Sequence, residues 1–140
     1  MDDAGTYHVG TVPARGAVRA AVAALPLTLS YDYQSTDRTV AAATSKMTPE
    51  FADEFRATFE ATVKPLAIKE KAVTQAKVRA AGVVDQSAKR VTCLVYVDQV
   101  LVSSKDLAGG KKPVKVGQNR VLVRLVQVGH SWKVDDITSY

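Results

Sequence analysis

The segment that most constrains the fold is Arg90–Val102, RVTCLVYVDQVLV, the longest run of strand-forming residues in the chain. Nearly every residue in it is β-branched, aromatic or aliphatic, which favours a β-strand. Side chains alternate along a strand, so one face carries Val91, Cys93, Val95, Val97 and Leu101. The other face carries Thr92, Leu94, Tyr96, Asp98 and Val100. Both faces are largely apolar, and we therefore expect this strand inside the sheet, covered on at least one side.

Size and composition fit one globular domain. The chain has 140 residues, of which 46% are hydrophobic and 24% charged. These fractions are ordinary for a domain that buries its own core, and they exclude a wholly disordered chain. The formal net charge of +5 favours anionic surroundings such as a lipid headgroup surface, nucleic acid or an acidic partner. An excess of solvated lysines explains the same charge.

No segment predicts a membrane span or a secretion signal. The most apolar stretch, Ala17–Leu29, is interrupted by Arg19 and Pro26 and falls short of the roughly 18 apolar residues that a span requires. The residues after Met1 are acidic and polar rather than basic and then apolar. The sequence therefore fits either a cytosolic protein or the excised soluble part of a longer chain.

Cysteine and histidine usage indicates neither disulfide nor metal chemistry. The single cysteine, Cys93, cannot form an internal disulfide, and its apolar strand face predicts a buried, small hydrophobic side chain. His8 and His130 are far apart and lack metal-ligand spacing. The adjacent Asp135 and Asp136 face opposite sides of a strand unless a bulge intervenes, so they do not predict a metal site. No cofactor, metal or catalytic set is therefore predicted.

The first half of the chain predicts helices. Met1–Pro13 is interpreted as a flexible lead-in, and a single domain is predicted over residues 14–140. The alanine-rich segment that follows predicts a helix that continues across Pro26. Its predicted apolar face carries Val18, Val22, Leu25 and Leu29. A rival interpretation stays open, because Leu27–Tyr33 alternates as a strand would.

Two further helices are predicted. A short one follows the capping oxygens of Ser35–Asp37. The main one begins at Thr48, with Pro49 and Glu50 in its first turn. Its apolar stripe carries Phe51, Phe55, Phe59, Val63 and Leu66. We expect this stripe to pack onto the sheet and Pro65 to kink the helix late in its course.

Four strands fill the second half of the chain. They are predicted at Val73–Val84, Arg90–Val102, Val114–Val128 and Trp132–Ile137. Short connections between them require an antiparallel meander. The predicted fold class is α+β, with about three N-terminal helices packed on a curved four-stranded antiparallel sheet. This order of elements is that of an NTF2-like or cystatin-like domain.

Four local motifs, in their order and spacing, resemble one protein family. They are Ser30-Tyr31-Asp32-Tyr33 after the first helix, Thr48-Pro49-Glu50-Phe51 at a helix start, Val97-Asp98-Gln99 in the second strand and Trp132-Lys133-Val134-Asp135-Asp136 in the last strand. From about Ala14 to Tyr140 the chain resembles the extracytoplasmic domain of the Mce-associated membrane proteins of actinobacteria.

This resemblance implies a role rather than a reaction. It implies a non-catalytic accessory or stabilising subunit of an Mce-type lipid import system in the cell envelope. Such a subunit acts by protein–protein contact with Mce transporter subunits or related accessory membrane proteins. The resemblance also implies an extracytoplasmic domain at the cell membrane, with the family's transmembrane helix preceding this chain. Homodimerisation through the open sheet face is compatible with this role.

An alternative function comes from the cone that NTF2-like domains form between helices and sheet. A small-molecule binder of the isomerase or lyase type needs a shielded carboxylate beside an apolar pocket. The candidate pocket-lining residues are Tyr31, Tyr96 and Asp98, together with Asp32. An enclosed apolar pocket with a shielded carboxylate favours this alternative, whereas a cone filled by its own side chains favours the accessory role.

A cluster of lysines surrounds one predicted hairpin loop. The candidates for contact with an anionic lipid surface are Lys105, Lys111, Lys112 and Lys115. Each lysine near such a surface contributes about 1 kcal/mol of binding free energy. Lysines also keep such a loop soluble. Nucleic-acid binding is not predicted, because no aromatic residues interleave with this loop and no helix is predominantly basic.

Overall fold

The computed structural model describes residues 12–103 and 114–139. Its helices are α1 (Val12–Leu29), α2 (Thr36–Thr44), α3 (Pro49–Thr58) and α4 (Lys64–Glu70), and a π-helical turn, Phe59–Val63, joins α3 to α4. The strands are β1 (Tyr31–Asp32), β2 (Ala72–Gln86), β3 (Arg90–Ser103), β4 (Val114–Val128) and β5 (Ser131–Ser139). Helix α3, the π turn and α4 follow one another without a break, so the described residues contain three separate helical units.

The five strands form one antiparallel sheet in the order β1-β2-β3-β4-β5. The predicted meander from β2 to β5 is therefore confirmed. The predicted number of four strands was wrong, because β1 pairs Tyr31 with Thr74 and Asp32 with Val73 at the edge of the sheet. This strand has only 2 residues, and the alternative strand interpretation of Leu27–Tyr33 is correct only at Tyr31–Asp32.

The alternation predicted for β3 is confirmed over residues 91–97, whereas residues 98–101, including Leu101, are all half-buried. On one face, Val91, Cys93, Val95 and Val97 are each 1% exposed or less. On the other face, Tyr96 is 36% exposed, and Leu94 and Asp98 are half-buried. Strand β4 repeats the pattern, with Val121, Val123 and Leu125 buried and Leu122 half-buried on the opposite side. We call the first side the covered face, where the helices pack, and the second side the open face.

Helix α1 confirms the predicted helix and decides how Leu27–Tyr33 folds. It continues through Pro26, as predicted, and ends at Leu29. The stretch Leu27–Tyr33 is therefore helical at its start and a strand at Tyr31–Asp32. In the described part of the chain, no helix combines the length and the apolar character needed to cross a membrane.

The buried face of α1 is a stripe of small side chains. Ala14, Ala17, Ala21, Ala24 and Leu25 are 1% exposed or less. The predicted face was wrong at Val22, which is 39% exposed. Alanine lets the helix axis approach the strands more closely than valine would, and this close approach selects the alanine stripe as the contact.

The predicted start of the main helix is confirmed. Thr48 is the N-cap, and its side chain accepts a hydrogen bond from the Phe51 N–H at 3.3 Å, with Pro49 in the first turn. The predicted short helix before it is α2, although Ser35 at its N-cap position makes no side-chain capping bond. Phe51 belongs to the core under α3, so the stripe packs onto the sheet at this end.

The apolar stripe shifts by one residue after the π turn. Phe59 is 3% exposed, but Leu66, predicted on the same stripe, is 59% exposed and Ala67 takes the buried position instead. A π turn holds one residue more than an α-helical turn, so each later side chain moves round the helix axis. The prediction for Leu66 was wrong because it continued the α-helical period across residues 59–63, where the helix is a π turn.

The start of α3 is tied to the edge of β5. The Val134 N–H donates to the Lys46 carbonyl, and the Thr48 N–H donates to the Val134 carbonyl, each at 2.8 Å. Asp135 is the extra residue of a β-bulge opposite Arg124 and Leu125, and it accepts a hydrogen bond from the Thr48 hydroxyl at 3.1 Å. The segment before α3 therefore covers part of a sheet edge that would otherwise present unpaired backbone groups.

Candidate functional site

A cleft lies between the helices and the covered face, where α1 ends and β1 begins. It holds about 410 Å³ and is lined mainly by apolar and aromatic side chains, including Leu29, Phe55 and Ile137. The ring of Phe59 contacts Tyr31 edge-on, with 6.4 Å between the ring centroids, and contacts Phe55 with 5.8 Å between them. We call this feature the cone cleft.

The π turn shapes one wall of the cone cleft. Pro65 has no N–H, so the carbonyl of Ala61 lacks the donor that an uninterrupted α-helix would supply. The chain widens just before this point, and the Lys64 N–H donates to the carbonyl of Phe59. Such turns occur frequently at functional sites. Here the turn places Phe59 and Val63 against the cleft.

Two polar side chains of the cone cleft, Thr28 and Gln99, hold the fold. The Thr28 hydroxyl donates to the Ala24 carbonyl at 2.9 Å. The Gln99 amide donates to the Leu29 carbonyl at 3.1 Å, and its oxygen accepts from the Asn119 amide at 2.7 Å. Glu54, the carboxylate that lines the cleft, is exposed to solvent rather than shielded. Among the described residues, the cleft therefore offers apolar contact and no shielded carboxylate.

The structure separates the residues that the sequence grouped as pocket-lining. Tyr31 lines the cone cleft, and Asp32 accepts a hydrogen bond from the Gln34 N–H at 2.9 Å beside it. Tyr96 and Asp98 lie together on the open face, across the sheet from that cleft. The four residues therefore do not share one site, because β3 turns its odd-numbered residues, and not Tyr96 and Asp98, toward the helices.

Asp98 has an unusual environment for a carboxylate on the open face. Its Oδ2 lies 3.4 Å from Nε of Arg79 on β2, in a shallow depression that also includes Tyr96 and Arg120. Its Oδ1 is buried and has no hydrogen-bond partner among the described residues. The arrangement is a strand-surface ion pair, and no second carboxylate lines the depression within the described chain.

The lysines of the predicted loop lie mostly beyond what the structure describes. Lys105, Lys111 and Lys112 are outside the described residues, and Lys115 is in β4 with its side chain outside them. Their contact with an anionic surface stays a prediction.

A second basic surface was missed by the sequence reasoning. A groove of about 370 Å³ lies between α1 and the start of β5, and we call it the basic groove. Its cationic and protonatable side chains are Arg19, Lys46, His130 and Lys133, and Trp132 and Gly16 form part of its wall. These residues come from α1, from the turn before α3, and from the turn and strand at β5. No single stretch of sequence is basic enough to signal it.

Cys93 is a core residue, as predicted. It is 0% exposed on the covered face, and burial raises the pKa of its thiol to about 12. Because the thiolate is the reactive form, this side chain is not a nucleophile at neutral pH.

Neither a protein-family model nor a curated protein sequence matches the chain. Solved structures do. The periplasmic domain of DotI has a TM-score of 0.75 at 14% identity, covering 95% of this chain and 97% of that one. VirB8 of Agrobacterium tumefaciens has a TM-score of 0.69 at 11% identity, covering 93% of each chain.

A third solved structure carries the name of the fold. An Ntf2-like protein involved in plasmid conjugation has a TM-score of 0.60 at 13% identity, covering 91% of this chain and 49% of that one. Likenesses at these identities concern the fold. The fold of this chain is therefore α+β and NTF2-like, one of the two folds that the order of its helices and strands predicted.

Proposed function

We propose that this chain is a non-catalytic, extracytoplasmic accessory domain of a membrane transport assembly, and that the assembly is an Mce-type lipid import system. The observation that carries the general role is the fold likeness over 95% of the chain to a periplasmic domain, that of DotI. The Mce assignment rests on the four sequence motifs. The domain acts by protein–protein contact at the cell membrane.

The interior of the cone supports a scaffold role. Leu25, Phe51, Val95 and Val97 fill the space beneath the helices, so the cone is largely occupied by the chain's own side chains. At its mouth, Thr28 and Gln99 each donate to a backbone carbonyl, and Gln99 also accepts from Asn119. A domain with a packed interior presents a largely preformed surface to partners.

The motifs that resemble the Mce-associated family have structural roles here. Gln99 fastens the end of α1 to β3, and Thr48 and Asp135 fasten the start of α3 to β5. Trp132 packs against α1 so closely that a Cβ at Gly16 would lie 3.1 Å from its indole nitrogen. These positions join the helices to the sheet, so a shared set of motifs supports a shared architecture rather than a shared reaction.

The open face is the surface proposed for partner contact. Tyr96 is 36% exposed there, beside the half-buried Leu94, which pairs across the strands with Leu122. An exposed aromatic residue over an apolar centre, with Arg120 and Arg124 around it, has the composition of an interface core with a polar rim. The same face would serve a homodimer or a different subunit.

The test is affinity purification of the natural full-length protein from gentle detergent extracts of its own cells, with identification by mass spectrometry. Recovery of Mce subunits and their permease is expected. Recovery of type IV secretion subunits instead would keep the accessory role and replace the Mce assignment. A protein that is recovered alone, from a natural gene without a membrane helix, would contradict both.

A matched pair of variants tests the contact surface. Tyr96→Asp places a charge on the open face, and Ala61→Asp places the same charge on the exposed side of the π turn. We expect Tyr96→Asp to abolish copurification and Ala61→Asp to leave it unchanged. Equal recovery with both variants would show that the partner binds elsewhere.

A second candidate function is the binding of a small apolar molecule in the cone cleft. The observation that favours it is the aromatic lining around about 410 Å³ at the mouth of the cone. Thr58→Trp would fill the cleft from an exposed position, whereas Ala57→Trp beside it does not line the cleft. A ligand that raises the melting temperature of the parent and Ala57→Trp proteins, but not of Thr58→Trp, would establish this function.

A further inference from the structure

The basic groove carries charge that the described protein does not neutralise. Elsewhere, Arg56, Lys64, Arg79 and Arg124 each have a carboxylate oxygen within 4 Å. Arg19, Lys46, His130 and Lys133 form no ion pair within residues 12–103 and 114–139, and no Asp or Glu of those residues lines the groove. Cations gathered in one concavity without an internal counter-ion raise the local concentration of anions.

Two hydrogen-bond donors of the groove are the Lys133 ammonium and the Trp132 indole N–H. The Lys133 ammonium donates to the Ser45 carbonyl at 2.8 Å, so a neutral acceptor holds it in place and leaves its charge uncompensated. The indole N–H of Trp132 has no hydrogen-bond partner among the described residues. A ligand that fits these donors must present several acceptor oxygens and a negative charge, as a phosphate group does.

The groove is open to a surface rather than enclosed. Arg19, Lys46 and His130 are exposed, and Arg15, one turn before Arg19 on α1, extends the basic surface along the helix. Trp132 is half-buried, with an apolar ring and a polar N–H, which suits the boundary between headgroups and water.

We propose that the basic groove binds the phosphate of an anionic phospholipid headgroup, with Arg19, Lys46 and Lys133 as the charged contacts and Trp132 at the interface. This inference stands on the groove and does not depend on the protein partner proposed above. The proposed contact with an anionic surface therefore lies at a groove between α1 and β5, and not at the loop that contains Lys111 and Lys112.

The experiment measures binding of the 140-residue chain to vesicles of phosphatidylcholine with and without phosphatidylglycerol. Arg19→Gln/Lys46→Gln removes two groove charges, and Lys77→Gln/Lys89→Gln removes two exposed charges elsewhere, so both variants have the same net charge. We expect about fivefold weaker partition for each groove charge lost, or about 30-fold for the pair. Little change is expected for the control pair. Equal losses in both variants would mean general attraction of a basic protein and would overturn the proposal.

Trp132 provides a readout inside the groove, because it is the chain's one tryptophan. We expect its emission to shift to shorter wavelength with phosphatidylglycerol vesicles and to stay constant with phosphatidylcholine vesicles. Inorganic phosphate, compared with chloride at equal ionic strength, tests the free anion. A saturable response to inorganic phosphate without binding to vesicles would assign the groove to a small phosphate compound and overturn the lipid assignment. An unchanged emission with every vesicle would also overturn it.

Discussion

The two faces of one sheet obey different rules. On the covered face of β3, Val91, Cys93, Val95 and Val97 are at most 1% exposed, and alanines of α1 pack onto them. On the open face of the same strand, the side chains are half-buried or exposed and include Asp98 and Tyr96. The alternation of β3 therefore has two consequences. The side chains on the covered face stabilise the fold, and those on the open face remain accessible for contact.

The difference also explains where the proposed functions lie. The covered face is packed with apolar side chains, and Thr28 and Gln99 beside the cone cleft are hydrogen-bonded, so the apolar cone cleft is the main accessible feature on that side. The open face and the basic groove keep charged and aromatic groups accessible. Matched variants on the two faces should reveal this division directly.

The largest expected contrast is in thiol reactivity. Burial raises the pKa of Cys93 from 9.0 to about 12, so at about pH 8 its thiolate fraction is on the order of 10⁻⁴, compared with about a tenth for an unperturbed thiol. We expect a thiol reagent to label native Cys93 at least about 10³-fold more slowly than Tyr96→Cys in a Cys93→Ala background. Rapid labelling of native Cys93 would contradict its placement in the core.

The same thiol gives a pH dependence with a defined sign. The unfolded chain loses this proton above about its ordinary pKa of 9.0, whereas the folded chain keeps it until about 12. The folded state then binds more protons than the unfolded state, so the free energy of unfolding falls as pH rises through this window. Cys93→Ala should remove that part of the alkaline loss in urea-unfolding curves recorded across the window.

The second contrast is in packing. Leu125 is 0% exposed on the covered face, and Leu122 is half-buried on the open face of the same strand. Leu125→Ala should lower the free energy of unfolding by about 2–5 kcal/mol, because it leaves a cavity that the core cannot fill. Leu122→Ala should cost about 1 kcal/mol, since solvent already reaches this side chain. Urea unfolding of both variants would measure the difference, and equal costs would mean that the open face is also packed.

The comparison shows which features a sequence can predict. The alternation of β3, the cap at Thr48 and the meander are local or periodic, and each was predicted correctly. The exposed position of Leu66 was not predicted correctly. The π turn before Pro65 adds one residue, and the period of about 3.6 residues used to place apolar side chains does not account for it. Val22 was misplaced because the distance between α1 and the sheet depends on tertiary packing.

The candidate sites show the same limit. Tyr31 and Asp98 were grouped as pocket-lining, but strand pairing places them on opposite sides of the sheet. The basic groove was missed because Arg19 and Lys133 become neighbours only when α1 packs beside β5. A pattern within one element predicts which face a residue occupies, whereas a site needs the mutual placement of several elements.

The third contrast concerns two adjacent carboxylates. Asp135 sits at the bulge and joins the two faces, since it accepts from Thr48 under the helices and from the Arg124 Nε at 3.1 Å. Asp136 accepts only from the Thr138 hydroxyl, at 3.0 Å, among the described residues. Asp135→Ala should cost about 1 kcal/mol, because it removes the acceptor of the Thr48 hydroxyl, which would still accept from the Phe51 N–H. Asp136→Ala should cost less than about 0.5 kcal/mol. Thermal melting would compare them, and equal shifts would show that the bulge tie adds no stability.

The smallest expected effect is at Asp98, and it separates a contact role from a folding role on the open face. The Arg79–Asp98 ion pair is 3.4 Å long with the arginine side chain 57% exposed, a setting in which ion pairs contribute little. The Oδ1 atom of Asp98 is buried and lacks a hydrogen-bond partner among the described residues, so the charged form is poorly solvated. Asp98→Asn removes this charge, and the relief offsets the loss of the ion pair. We expect Asp98→Asn to change the free energy of unfolding by less than about 0.5 kcal/mol, measured by urea unfolding beside Asp135→Ala. A loss as large as that of Asp135→Ala would mean that the open face also holds the fold together. An unchanged stability with weaker partner recovery would mean that this carboxylate is kept for contact.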